Sequence, residues 1–142
     1  MSKKSAMAAL AFLLAIAAGL AGCGGMNGAA TAPSATGATE HRYLTGDEAK
    51  KLYDDNPGVI LLDVRTDEEY AAGHIEGSVV IPVTDLGNRL SELPDKGAII
   101  IVFCRSGNRS GTAYKLLTDA GYTNVYDMQM VSNWPLPLVT SD

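Results

Sequence analysis

The sequence predicts an α/β domain built on a small central parallel sheet with helices on both faces. Three observations predict it. Apolar runs of strand length alternate with segments of helical periodicity. Two of those runs, Val59-Ile60-Leu61-Leu62 and Ala98 to Phe103, are continuously apolar, as strands covered on both faces must be. Two capping boxes, Thr45-Gly46-Asp47-Glu48 and Thr66-Asp67-Glu68-Glu69, announce helices beside them. Alternation of this kind favours parallel strands joined by helical crossovers.

Each element has its own justification. After the first capping box, Ala49, Leu52 and Tyr53 share one helix face, and Asn56-Pro57-Gly58 stops the helix. The run from Val59 is the first strand. The second capping box opens a short helix that Gly73 ends, and Val79-Val80-Ile81 is a short strand closed by Pro82. Leu86, Leu90 and Leu93 follow helical spacing. The run from Ala98 is the strongest strand signal in the chain. Ala113, Leu116, Leu117 and Ala120 line the next helix, with Gly121 in place to terminate it. Asn124 to Asp127 makes a last strand.

Composition bounds the function. The chain has 142 residues, 46% hydrophobic and 19% charged, which excludes a disordered chain, a collagen-like repeat and a coiled coil. Its two cysteines, Cys23 and Cys104, are too few for a disulfide scaffold or a multi-cysteine zinc site. A formal charge of −5, with no basic tract beyond Lys3-Lys4 and Lys50-Lys51, argues against a nucleic-acid partner.

The first 40 residues are not domain material. Lys3 and Lys4 precede Ala6 to Gly22, a stretch of 17 residues without a charge. That is short for a membrane span, which needs roughly 20 residues. A basic start, an apolar stretch and small residues read as a secretory signal peptide over residues 1–22. Its end, Leu20-Ala21-Gly22-Cys23, resembles the lipobox of bacterial lipoproteins. That resemblance implies a lipidated Cys23 as the mature N-terminus, acyl chains such as palmitate, and a membrane anchor at the bacterial cell envelope, facing the periplasm or exterior. Residues 23–40 are dominated by Gly, Ala, Thr and Ser and read as a flexible tether. Residues 41–142 form the folded domain. Cleavage after Gly22 removes Lys3 and Lys4 and no acid, taking the charge from −5 to −7.

The chemistry gathers in one loop. The best strand runs into Cys104-Arg105-Ser106-Gly107-Asn108-Arg109-Ser110, and a helix follows. Sites in open α/β sheets form outside the carboxyl ends of strands. A Gly-containing loop entering a helix turns several backbone N–H groups toward one point and binds anions. At its rim the N–H groups, the helix dipole, Arg105 and Arg109 favour a thiolate on Cys104. The two arginines also draw in an anionic substrate.

The loop resembles the active-site loop of rhodanese-type single-domain sulfurtransferases. Other segments follow in order. Leu61-Leu62-Asp63-Val64-Arg65 with Glu68-Glu69-Tyr70 is similar to the family's first motif. Gly73-His74-Ile75-Glu76-Gly77-Ser78 with Ile81-Pro82 is similar to its second, and Gly121-Tyr122 with Val125-Tyr126 matches the stretch after the active-site helix. The resemblance implies a rhodanese-like fold and two half-reactions. Cys104 takes sulfane sulfur from a small anionic donor such as thiosulfate, and a thiol or cyanide removes it from the persulfide. Arg105, Ser106, Gly107, Asn108 and Arg109 bind the substrate, with backbone amides on the persulfide anion. No metal or organic cofactor is implied, and the chain is expected to be monomeric. The alternative is a non-catalytic or sulfide-delivery binding module at the cell envelope. A large exposed apolar patch around Met128–Trp134 would favour it.

Related architectures host dual-specificity phosphatases and arsenate reductases, whose loop is one residue longer between cysteine and arginine. Here position 110 is Ser and the arginine comes at 109. The shorter loop fits a single sulfur better than a tetrahedral oxyanion. Asp63 reads as structural, Arg65 as the partner of some nearby acid, His74 as a hydrogen-bonding residue and Trp134 as a core cap. Gln129 and Met130 stand where the family usually carries a glycine pair. Their bulk is expected to narrow the pocket or bring Met128 and Met130 to its edge.

Overall fold

The structure, a computed structural model, describes residues 40–141. The expected signal segment, Cys23 and the tether through residue 39 lie outside the described residues. Four strands, β1 (Ile60–Asp63), β2 (Val79–Val80), β3 (Ile99–Cys104) and β4 (Asn124–Met130), form one sheet in the order β2-β1-β3-β4. Every pairing is parallel. Helices α1 (Gly46–Asp55), α2 (Asp67–Ala72), α3 (Val83–Leu86) and α4 (Asn108–Asp119) connect and cover it.

Strand alternation divides the core into two layers. Leu62, Ile100, Val102 and Val125 face Leu86, Ala113, Tyr114 and Leu117. Leu61, Ile101, Phe103 and Met128 face Ala49 and Trp134 on the other side. Helices on both faces are therefore what the continuous apolar runs require. Trp134 is buried and meets Tyr53 edge-on at 6.1 Å, so it closes the second layer as expected.

Both capping boxes form. Thr45 and Glu48 exchange side-chain and backbone bonds at the start of α1, and Thr66 and Glu69 do so at α2. Gly121, at φ +93°, ends α4 with its own N–H on Thr118 and the Tyr122 N–H on Leu117, both at 3.0 Å. Those two bonds satisfy carbonyls that the helix end would otherwise leave open.

Several boundaries differ from the sequence reading, β1 lying one residue later than the apolar run from Val59 and β2 ending at Val80. The Leu86–Leu93 spacing is not one helix. Helix α3 stops at Gly87, and a separate 3₁₀ turn covers Leu90–Glu92. The leucines nevertheless reach the same apolar layer, so the periodicity reported a buried face rather than a continuous helix. Strand β3 extends one residue further than the apolar run, and its last residue is Cys104. Strand β4 runs to Met130 because a bulge lets it continue. Val102 pairs with Asp127 but Phe103 pairs with Gln129, leaving Met128 as the extra residue. Among the described residues no helix is long and apolar enough to cross a membrane.

Candidate active site

The buried strand β3 delivers Cys104 to the carboxyl edge of the sheet, where the residue is itself fully buried. Arg105, Ser106 and Asn108 are exposed above it. Gly107 sits at φ +89°, a left-handed conformation that suits glycine, and its N–H donates to Cys104 Sγ at 3.0 Å. The chain thus curls around the sulfur before entering α4. Gly107 is the N-cap of that helix and no side chain caps it. The first N–H groups of α4 have no acceptor within the helix and are available at the loop.

Ser110 holds the loop from below. Its buried Oγ donates to the Gly107 carbonyl at 2.9 Å, with the Gln129 carbonyl at 3.4 Å. The Gly111 N–H donates to the same Gly107 carbonyl at 3.1 Å. The position that carries arginine in the longer phosphatase-type loop is therefore a buried structural serine here.

Gln129 forms the loop's other flank. It has φ +68°, the one non-glycine residue in this region among the described residues. A Cβ on Gly107 would lie 3.5 Å from Gln129 Cβ, so the two residues abut. The Gln129 N–H donates to the buried Asp127 Oδ1 at 2.7 Å. Asp127 Oδ2 lies 2.8 Å from His41 Nε2, and the His41 ring stacks between Tyr43 and Tyr114 at 4.2 and 3.8 Å. The bulk expected at this flank thus comes from Gln129. Met130 pairs with Cys104 in register and is 37% exposed, whereas Met128 is fully buried and not at the edge.

The two arginines differ. Arg105 is exposed. Arg109 is half-buried and grips Glu69 with two bonds, Nη1 to Oε2 at 2.6 Å and Nη2 to Oε1 at 3.0 Å. The Arg109 bond is the main reason the Glu69 carboxyl falls from the usual value near 4.5 to about 2, and Arg65 adds to it. Glu69 in turn raises the Arg109 pKa, with smaller contributions from Cys104 and Asp63. Sequence reasoning placed Glu69 in a capping box and in the family's first motif but gave it no partner in the cysteine loop. Strand pairing held the missing signal: β1 and β3 are neighbours, so the segments leaving their carboxyl ends lie side by side.

The remaining residues take structural places. Asp63, fully buried, accepts from Arg65 Nε at 2.9 Å and from Arg65 Nη2 at 2.6 Å, and Nη2 also donates to the Gly73 carbonyl at 2.7 Å. His74 stacks on Tyr70 at 3.9 Å with Nδ1 3.0 Å from the Tyr70 carbonyl. Asp127 and His41 were not recognised in the sequence. Neither sits in the loop, and only the bulge shows that Asp127 reaches back to Gln129.

A buried cysteine at the end of a central parallel strand, wrapped by a Gly-containing loop that opens a helix, defines an α/β domain with a cysteine-centred loop at the carboxyl edge of its sheet. Comparison with known proteins narrows this. The family model for the rhodanese-like domain matches residues 45–130, and the chain belongs to that family. It is 33% identical over 79 residues to the thiosulfate sulfurtransferase PspE of Escherichia coli (strain K12), covering 55% of this chain and 76% of that protein. It is 36% identical over 75 residues to a sulfurtransferase of Allochromatium vinosum, covering 53% and 69%. A solved rhodanese with anions from E. coli superposes at a TM-score of 0.55 with 31% identity, over 58% of this chain and 99% of that one. The fold is rhodanese-like, and the family is one of sulfurtransferases.

Proposed function

We propose that this domain moves sulfane sulfur from a small anionic donor, such as thiosulfate, to a thiophilic acceptor through a persulfide on Cys104. The observation that carries the reading is the loop itself, with the Gly107 N–H on Cys104 Sγ at 3.0 Å at the mouth of α4. In the first half-reaction the Cys104 thiolate attacks the outer sulfur of thiosulfate. A Cys104 S–S bond forms, the donor's S–S bond breaks, and sulfite leaves with the electron pair. In the second, cyanide or a thiolate attacks the outer persulfide sulfur and the Cys104 thiolate returns. Negative charge on the outer sulfur is stabilised by preorganised amides from Arg105 to Arg109 and by the arginine side chains. Ser106 and Asn108 complete the rim. The buried Ser110 supports sulfur over phosphate, because no arginine stands at the longer loop's position. Of the Met128–Trp134 stretch, Met128, Val131 and Trp134 are buried and Met130 is the one exposed large apolar residue, so those residues form no large apolar patch of the kind that would favour a purely adaptor role.

The test is mass spectrometry of the purified full chain after thiosulfate. One added sulfur on Cys104, discharged by cyanide, is expected. Cys104→Ser keeps the size but loses the soft nucleophile, and transfer should fall to background with folding intact. Substantial transfer by that variant would overturn the reading.

The domain is further proposed to work at the bacterial cell envelope, with residues 1–22 as signal peptide, Cys23 lipidated and residues 23–40 as tether. The supporting feature is the run from Lys3 through Leu20-Ala21-Gly22-Cys23. The protein should partition into detergent, and Cys23→Ala should abolish this. Recovery of the wild type as a water-soluble protein would refute the anchor.

A further inference from the structure

The charge at the loop is not what two nearby arginines imply. Arg109 is engaged by both Glu69 oxygens, at 2.6 and 3.0 Å. Glu69 is itself fixed, because its Oε2 also accepts the Thr66 N–H at 3.2 Å and the Thr66 hydroxyl caps the Glu69 N–H at 3.3 Å. The carboxylate is therefore preplaced by the start of α2 as well as by the arginine. The pair is part-exposed, 30% for Arg109 and 24% for Glu69, so incoming anions meet both charges. Arg105 is left as the exposed cation of the loop.

We infer that Glu69 is a specificity-determining residue of the sulfur-transfer site, whose charge on Arg109 selects donors of low charge, alkyl hydropersulfides, over dianions such as thiosulfate. The inference rests on the sulfurtransferase reading and narrows its donor class. A dianion gains from Arg109 but is repelled by Glu69, and the repulsion scales with the donor's charge. A hydropersulfide carries at most one negative charge and feels that repulsion least. Its transfer needs no added oxidant or reductant. The Cys104 thiolate attacks the outer sulfur of R–S–SH, the donor's S–S bond breaks, the thiolate RS⁻ leaves with the electron pair, and the proton stays on the outer sulfur of the new Cys104 persulfide. The Glu69 carboxyl, with a pKa of about 2, stays ionised throughout the neutral range, so the selection is constitutive rather than pH-gated.

Glu69→Gln separates charge from structure, since glutamine at this position still completes the capping box and can still bond Arg109. Sulfur loading of Cys104 would be followed in the full chain with thiosulfate and with 2-hydroxyethyl hydropersulfide. The thiosulfate-to-hydropersulfide ratio of kcat/KM should rise about tenfold in Glu69→Gln, mainly through a lower KM for thiosulfate. The gain should shrink toward high salt, as a screened charge effect must. Glu69→Asp, which keeps the charge, should hold the ratio near that of the wild type. A ratio within twofold of wild type in Glu69→Gln, or a parallel fall with both donors, would overturn the role of Glu69 while leaving sulfur transfer intact. Failure of the wild type to load sulfur from either donor would overturn the function itself and this inference with it.

Discussion

Two arginine–carboxylate pairs lie at the carboxyl edge of the sheet, and they differ in burial rather than in chemistry. Arg65 and Asp63 are 7% and 0% exposed; Arg109 and Glu69 are 30% and 24% exposed. Both are two-point contacts. The first joins the end of β1 to the Gly73 carbonyl that follows α2, and it is sealed from any ligand. The second joins the start of α2 to the start of α4 beside the Cys104 loop, where solvent reaches it. Burial thus assigns one pair to the scaffold and the other to the site. A sealed pair is hard to replace piecemeal because each partner orphans the other. An open pair adds little stability and leaves its charges able to act on a substrate.

The largest expected effect breaks the scaffold pair. Arg65→Ala strands the Asp63 carboxylate and the Gly73 carbonyl, and it should destabilise the domain by about 3–5 kcal/mol. Thermal unfolding should show a fall on the order of 15 °C or more. A fall of a few degrees would mean that water reaches Asp63 and that burial does not distinguish the pairs. Arg109→Ala should behave in the opposite sense. Its effect on stability should stay within about 1 kcal/mol, while its KM for thiosulfate rises about tenfold and Cys104 alkylates more slowly with iodoacetamide at fixed pH. Arg109→Lys should fall between, because it keeps the charge and loses the fork. If Arg109→Ala matches wild type in both kinetics and alkylation, the loop works through its backbone alone.

The contrast between the pairs also marks how far the sequence could be read. Strand identity, both capping boxes and the Gly121 helix stop were legible because each is encoded within a few neighbouring residues. Cys104 and its loop were legible for the same reason, and Asp63 was legible as structural because it ends a buried apolar run. The Glu69–Arg109 contact joins residues 40 positions apart, and local pattern already explained Glu69 as a cap. The Asp127–Gln129 bond depends on a bulge, and bulges leave no fixed signature in one sequence. Even the break between Leu86 and Leu90 followed this rule. The spacing recorded which residues are buried, but the backbone path between them was set by Gly87 and Asn88.

The opposite flank of the loop offers a smaller test of the same division between scaffold and site. Gln129 holds φ +68° beside Gly107 without any ion pair. Glycine adopts that backbone region freely, so Gln129→Gly should stabilise the domain by about 0.5–1 kcal/mol. It also removes the side chain that abuts the loop, so loading of Cys104 by thiosulfate should quicken. Lower stability in urea unfolding would show that the Gln129 side chain contributes packing that outweighs its backbone strain.

The smallest effect concerns acid stability of the open pair. The Glu69 carboxyl titrates at about 2 in the fold, below its ordinary value near 4.5, chiefly because Arg109 bonds the charged form. A carboxyl depressed by folding stabilises the native state above its unfolded value, and that contribution disappears as pH falls through the folded one. The stability difference between wild type and Glu69→Gln should therefore be steady from neutral pH down to about 5, then close between about pH 4.5 and 2. Because the pair is part-exposed, the full difference should not exceed about 1 kcal/mol. Urea midpoints for the two proteins across that range would measure it, and taking the difference cancels the other carboxylates that titrate alongside. A difference that persists unchanged at pH 2 would show that glutamate and glutamine differ here in packing or hydrogen-bond geometry and not in charge, which would also weaken the case that the Glu69 charge acts on donors at the loop.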